Sequence, residues 1–261
     1  MRRSFIITSL LMHYRMLMRQ KMVLLLLIGI PILFLLIVQL TSSEREILFQ
    51  ASIVENKTMI GAKEIELQSV FVSLAIIGFL ASFVALSLVQ QYKNVNRRLV
   101  TCGYYPAELM FSAITIMFFV ILILALCVGV SILLFFQPIH FWPMVLGLLL
   151  TGIIYAGYGM LVGNFVKNDL EGILTVILLA NIDAGWLQNP VFFAGARNKF
   201  IIQLLPAHHS SQISIVAAFS DLQFGRSIFF SVAYIFLFFG LSIIVSYYKM
   251  RVKKYVPSLL T

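Results

Sequence analysis

Asp183 lies in an apolar stretch beside Asn181, Gln188 and Asn189, and the aromatics Trp186, Phe192 and Phe193 follow it closely. A carboxylate at the middle of a bilayer costs about 2.5–3.5 kcal/mol, so such a group must face protein, water or the membrane surface. From its place on the outer half of its segment, Asp183 is expected near the outer surface. With Trp186, Phe192 and Phe193 it forms a set of candidates for lining or gating a pathway. His208 and His209 could ligate a metal, yet neighbours on a helix point about 100° apart and no cysteine or carboxylate cluster completes a ligand set. They read as ordinary surface histidines, and no metal site is expected.

Other chemistry is missing from the sequence. There is no G-x-x-x-x-G-K-[ST] loop to cradle phosphates, no H-E-x-x-H, no G-x-S-x-G turn and no pair of intramembrane acids. The chain is therefore expected to be no enzyme, with no catalytic residue and no cofactor of its own.

The elements that must carry these residues are membrane spans. Of the 261 residues, 61% are apolar and 11% charged, and the mean hydropathy is +1.00. Those values lie outside the range of soluble domains. A helix needs about 20 apolar residues to cross about 30 Å of hydrocarbon. Six runs qualify, at about 22–40, 69–89, 109–136, 142–165, 172–186 and 227–248. The fifth is the weakest, because Asn181, Asp183, Gln188, Asn189 and Pro190 interrupt it, and at 15 residues it is expected to be short or broken. The stretch after it is apolar in patches (191–193, 200–205, 213–219) and broken by Pro206. Short re-entrant or interfacial helices are expected there, because backbone at membrane depth must have its polar groups satisfied.

Orientation follows from Lys and Arg, which short cytoplasmic loops retain. With both termini inside, the cytoplasmic face holds Arg2, Arg3, Arg15, Arg19, Lys21, Lys93, Arg97, Arg98, Lys167, Lys249, Arg251, Lys253 and Lys254, all but six of the 19 basic residues. The other six share their segments with acids, leaving the outer face nearly neutral. The formal charge of +9 thus speaks of orientation and anionic lipid, not of nucleic acid. Cys102 in a cytoplasmic loop and Cys127 inside span three are expected to be free thiols. No cleavable signal is evident, since the first apolar run follows a 21-residue basic leader.

Residues 1–21 can form a helix with Ile7, Leu11, Tyr14 and Met18 on one stripe and Phe5, Met12 and Met16 on another, leaving Arg2, His13 and Gln20 away from both. An interfacial helix is expected. The segment from Gln90 to Cys102 can form a second short helix, with Gly103 as its stop, Pro106 opening the next helix and Glu108 in that helix's first turn. Gly159 and Gly163 form a G-x-x-x-G in span four, which suits packing inside one subunit and dimerisation equally. Asn56-Lys57-Thr58 is a glycosylation sequon only in a host that glycosylates there.

In this order of features the chain resembles the permease subunit of ABC transporters of the ABC-2 (type V exporter) family. The likeness runs over nearly the whole length and includes Asn96-Arg97-Arg98-Leu99-Val100-Thr101-Cys102-Gly103 after span two. It continues in Gly159-Met160-Leu161-Val162-Gly163-Asn164 before the turn to span five, then in Asn189-Pro190-Val191-Phe192-Phe193 and Leu204-Leu205-Pro206-Ala207-His208-His209. The resemblance implies an all-α membrane protein, one permease domain over 1–261. It would have six transmembrane helices, an N-terminal interfacial helix and re-entrant helices between spans five and six. It implies a bacterial cell-membrane location and an ATP-binding cassette subunit as partner, which would bind ATP and Mg. A second permease copy, identical or related, would complete the assembly. ATPase coupling would fall to Arg15, Arg19, Lys93, Arg97, Arg98 and Leu99, and spans one and five would line the route. The cargo implied is an amphipathic antimicrobial or cytolytic peptide, or a drug. A lipid-linked glycan is the alternative, and a secondary transporter is a third reading.

Overall fold

A computed structural model describes residues 2–51, 59–166, 168–221 and 223–250. The Asn56 sequon, Lys167, Arg251, Lys253 and Lys254 lie outside the described residues. The basic leader is helix α1 (Arg2–Arg19), separated from α2 (Lys21–Thr41) by Gln20 alone, whose ψ of 65° breaks the helical path. Two strands, β1 (Glu46–Gln50) and β2 (Met59–Lys63), pair antiparallel with Glu46 opposite Lys63 and Gln50 opposite Met59. Then come α3 (Glu64–Gln91), the short α4 (Lys93–Thr101), α5 (Pro106–Leu133) and α6 (Phe141–Phe165). Next is α7 (Asp169–Ala180), which runs without a break into a π-helical turn, Asn181–Leu187. Three short helices follow, α8 (Pro190–Gly195), α9 (Lys199–Gln203) and α10 (Pro206–Phe219), before α11 (Gly225–Met250).

Six of these helices are long and apolar enough to cross a membrane: α2, α3, α5, α6, α7 with its π-helical turn, and α11. The fifth is not short, correcting that part of the expectation from sequence, and its α-helical path changes at Asn181, where the polar residues begin. It spans 19 residues from Asp169 to Leu187. Its polar residues do not break it because the chain winds on as a π-helix, and Asn181 returns its amide to the Ile177 carbonyl at 2.9 Å. The loop between the first two spans contains the strand pair. Its Phe49 is buried and meets Phe219 edge-on at 5.9 Å.

Two helices form the centre. In their spanning windows α6 is 78% and α3 72% buried, against 22% for α2 and 17% for α11. The backbones of α3 and α6 touch: a Cβ on Gly159 would lie 2.1 Å from the Ser82 carbonyl oxygen, and one on Gly163 would meet Val89 at 3.1 Å. The glycine pair therefore serves packing within this chain. A third close approach seats α10 on α6, where a Cβ at Gly147 would meet the Ser214 backbone nitrogen at 2.6 Å. The peripheral spans follow from the same rule of burial: α2 buries only Leu27, Pro31, Leu35 and Val38, one narrow stripe, and leaves large apolar side chains exposed all round it.

The bundle has two distinct ends. At one, Gln20 donates its amide to Gln91 at 2.6 Å and to the Tyr92 hydroxyl at 3.2 Å, joining the α1–α2 junction to the α3–α4 junction. There too Lys249 of α11 donates to the Asn164 carbonyl that ends α6. At the other end the link between α5 and α6 bonds to the end of α10, through Ile139 N–H to Ala218 and His140 N–H to Ala217. His140 Nε2 and Asp221 Oδ1 are hydrogen-bonded there at 2.8 Å.

Candidate functional site

The sequence-derived residues fall into two groups, one at the first of these ends and one inside the bundle where α6, the fifth span and α10 meet. At the first, α1 lies on α5 through the side chains four apart that face it. Ser9 bonds the Ser112 hydroxyl at 2.7 Å, and His13 Nδ1 reaches the Ser9 carbonyl at 2.9 Å. Leu17 completes the buried line. His13, set aside in the sequence as lying off the apolar stripes, is thus the centre of the docked face. Because a carbonyl only accepts, Nδ1 carries the proton, and Nε2 is left buried with no partner. Burial holds the His13 pKa below its ordinary 6.5, and the bond to Ser9 offsets part of that. Ile7, Leu11, Tyr14 and Met18 do share one face, and it is the exposed one, pointing away from α5.

Arg15 and Arg19 are exposed on the same helix, and Lys93, Arg97 and Arg98 are exposed on α4, with Leu99 half-buried. The local reason for α4 is plain in its ends. Tyr92 leaves helical geometry at φ −100°, ψ 6°, and Gly103 adopts φ +99°, a left-handed stop that suits glycine. Buried Asn96 turns to the bundle, so the arginines that follow it turn out. No acid among the described residues pairs with any of these five cations.

Inside the bundle, where the fifth span meets the middle of α6, the structure departs from the sequence reading. Asp183 is not at the surface: it is 7% exposed, held inward by the π-helical turn. Tyr155 of α6 donates its hydroxyl to Asp183 Oδ2 at 2.5 Å, and the Ala207 N–H in the first turn of α10 donates to the same oxygen at 3.1 Å. Gln188 Nε2 donates to Oδ1 at 3.1 Å, and its own Oε1 accepts from Nδ1 of His208 at 2.9 Å. His208 is 3% exposed and so is no surface histidine; Pro206 starts α10 in a register that turns it inward. His209 is half-buried, stacked on Phe230 at 4.6 Å. No group of three metal-binding side chains exists among the described residues.

The four pathway candidates divide. Phe193 joins Asp183 inside, with its ring 5.6 Å from His208 and Lys199 Nζ 5.1 Å above it. Trp186 and Phe192 contact each other at 5.8 Å on the outside. Trp186 also ends an exposed apolar line of residues four apart, Leu170, Leu174, Leu178 and Ile182, along the fifth span. Tyr155, Gln188 and His208 were missed as members of one cluster. The signal that could have found them is that an acid inside an apolar span needs donors, and Tyr155 and Tyr158 are the hydroxyl-bearing aromatics of the span before it.

Comparison of the sequence with protein-family models and with curated proteins gives no match.

Proposed function

We propose that this chain is the transmembrane subunit of an ATP-driven exporter of the ABC-2 type, working with a separate ATP-binding cassette subunit and a second permease copy. The observation that carries the reading is the basic end. Two helices joined through Gln20, Gln91 and Tyr92 expose Arg15, Arg19, Lys93, Arg97 and Arg98, and no acid among the described residues answers them. Unanswered cations on short, rigid helices suit an acidic protein surface, which adds steering and register to docking. In this reading that end and both termini are cytoplasmic, in a bacterial cell membrane. Helix α1 rests in the headgroup layer on Ile7, Leu11, Tyr14 and Met18, and α8 to α10 are re-entrant at the outer mouth. The exposed stripes of α2 and of the fifth span face the second copy and the route. Spans almost free of charge favour an amphipathic peptide or drug as cargo over a polar solute. The test is co-expression with the ATPase subunit and reconstitution in vesicles. The subunits should purify together in equal number, and export should need both chains and ATP. ATP-independent export by this chain alone overturns the reading.

One observation favours a second reading, a proton-coupled secondary transporter: the buried acid Asp183, with Tyr155, Gln188 and His208 around it. Intramembrane acids mark proton paths in such proteins. Export driven by an imposed pH gradient without ATP would favour it.

A further inference from the structure

Every hydrogen-bonding group that reaches Asp183 is a donor. Oδ2 takes the Tyr155 hydroxyl and the Ala207 N–H, and Oδ1 takes the Gln188 amide, which His208 holds in place through its other atom. Among the described residues no lysine or arginine pairs with the acid. The remaining titratable groups around it are Tyr158 on α6, Tyr234 on α11 and His209 on α10, whose ring stacks on Phe230. From α3 Gly78 packs on Tyr155, bringing no ionisable group. A buried carboxylate is thus held by neutral donors alone.

Two consequences follow. A buried charge without a countercharge sheds its desolvation cost by taking a proton. The added proton turns one acceptor oxygen into a donor and removes the charge that strengthens the bonds from Ala207 and Gln188, which then hold only as weaker neutral bonds. The Tyr155 hydroxyl can rotate to accept, whereas the Ala207 N–H cannot and the Gln188 amide is fixed by His208. The Ala207 bond has a particular meaning. It satisfies one of the free N–H groups that begin α10, where negative charge is favourable, and Leu205 before it supplies no side-chain cap. Asp183 is therefore the cap of α10, lent by another element, and the π-helical turn aims it there; such turns inside α-helices often mark functional sites.

We propose that Asp183 is a proton-binding site, and that a proton taken up there unlatches the start of α10 from α6 and from the fifth span. The proton site stands on this geometry alone; its use as control of the outer mouth rests on the transporter reading. The test uses the full chain in lipid nanodiscs with Cys102 and Cys127 replaced and Ser211→Cys as a reporter, a position on α10 that is 1% exposed. Reaction with a small charged thiol reagent, corrected for thiol ionisation with the unfolded chain, should be slow in mildly alkaline buffer and should accelerate on acidification. In Asp183→Asn it should be about ten-fold faster in alkaline buffer, one charge-assisted hydrogen bond's worth, and independent of pH. Tyr155→Phe keeps the carboxylate but removes one donor, so its acceleration should begin about one to two pH units higher than in the parent; it carries the test if Asp183→Asn does not fold. Infrared difference spectra between the two buffers should show a protonated-carboxyl band that Asp183→Asn lacks. Equal protection at both pH values, or a carboxyl band that survives Asp183→Asn, overturns the proposal. No ATPase is present in these measurements, so failure of ATP-driven export leaves them unchanged.

Discussion

On α1 and α4 the positive charge is on the outside and met by no described acid, while where α6, the fifth span and α10 join a negative charge is inside and saturated with donors. Arg97 and Arg98 stand exposed on a nine-residue helix, and Asp183 is buried under three hydrogen bonds. The difference teaches what each region is fit to do. Exposed cations contribute little to folding and are free to bind a partner. A buried acid is costly unless satisfied, so its surroundings are bound to its protonation and it is fit to hold or release a neighbouring element. Between the two regions runs the close contact of α3 with α6 at Gly159 and Gly163.

The contrast can be broken most forcefully at the exposed end. Arg97→Glu with Arg98→Glu should abolish recovery of the ATPase subunit and ATP-driven export, while changing the thermal stability of the isolated chain by no more than about 0.5 kcal/mol. Cysteine labelling must show normal topology in the variant. Normal export by correctly inserted protein would mean that α4 is not the grip. Gly159→Ala comes next and strikes the contact of α3 with α6. Its Cβ would sit 2.1 Å from the Ser82 carbonyl, so α3 and α6 must part and stability should fall by about 1–3 kcal/mol in a detergent melt. Unchanged stability would place the helices further apart than described.

Comparable and then smaller effects sharpen the comparison. Tyr155→Phe should cost about 1–3 kcal/mol, because it strips a charged acceptor of one donor, whereas Phe192→Ala, cut from an exposed ring, should cost clearly less in the same melt. The reverse order would make the Asp183 cluster energetically idle. The smallest effect concerns His13. Its pKa is lowered when α1 is docked, so docking is fully present above about 6.5 and weakens as pH falls below it, levelling off once the lowered value is passed. Protease protection of the leader should therefore decline on mild acidification and should cease to do so in His13→Gln. A leader equally protected at both pH values would show that His13 does not feel the docking.

The six apolar helices were legible because bilayer-length apolar runs need no tertiary context, and the observed ends lie within about five residues of those read from sequence. The stop at Gly103 and the start at Pro106 were legible for the same local reason, since glycine and proline act through their own backbone. Asp183 was picked out as a residue and misplaced in space. Its type is visible in one dimension, but its burial is set by Tyr155, 28 residues earlier, and by Ala207, 24 residues later. His208 and His13 failed in the same way, each taken as peripheral by its neighbours in sequence and buried by a helix distant in it.

What the sequence determined by itself, then, is the number of apolar helices, their order and the crowding of positive charge on alternate links, all of which follow from composition over one turn or one span. What only the tertiary structure decided is which polar groups are satisfied and by whom. Hydrogen-bond partners across helices depend on rotation about each helix axis, and that rotation is set by close packing such as Gly159 on Ser82 rather than by hydropathy. For that reason Arg97 could be assigned to a short link between spans from its neighbours alone, while the π-helical turn and the shell of donors around Asp183 existed only once α6, the fifth span and α10 were brought together.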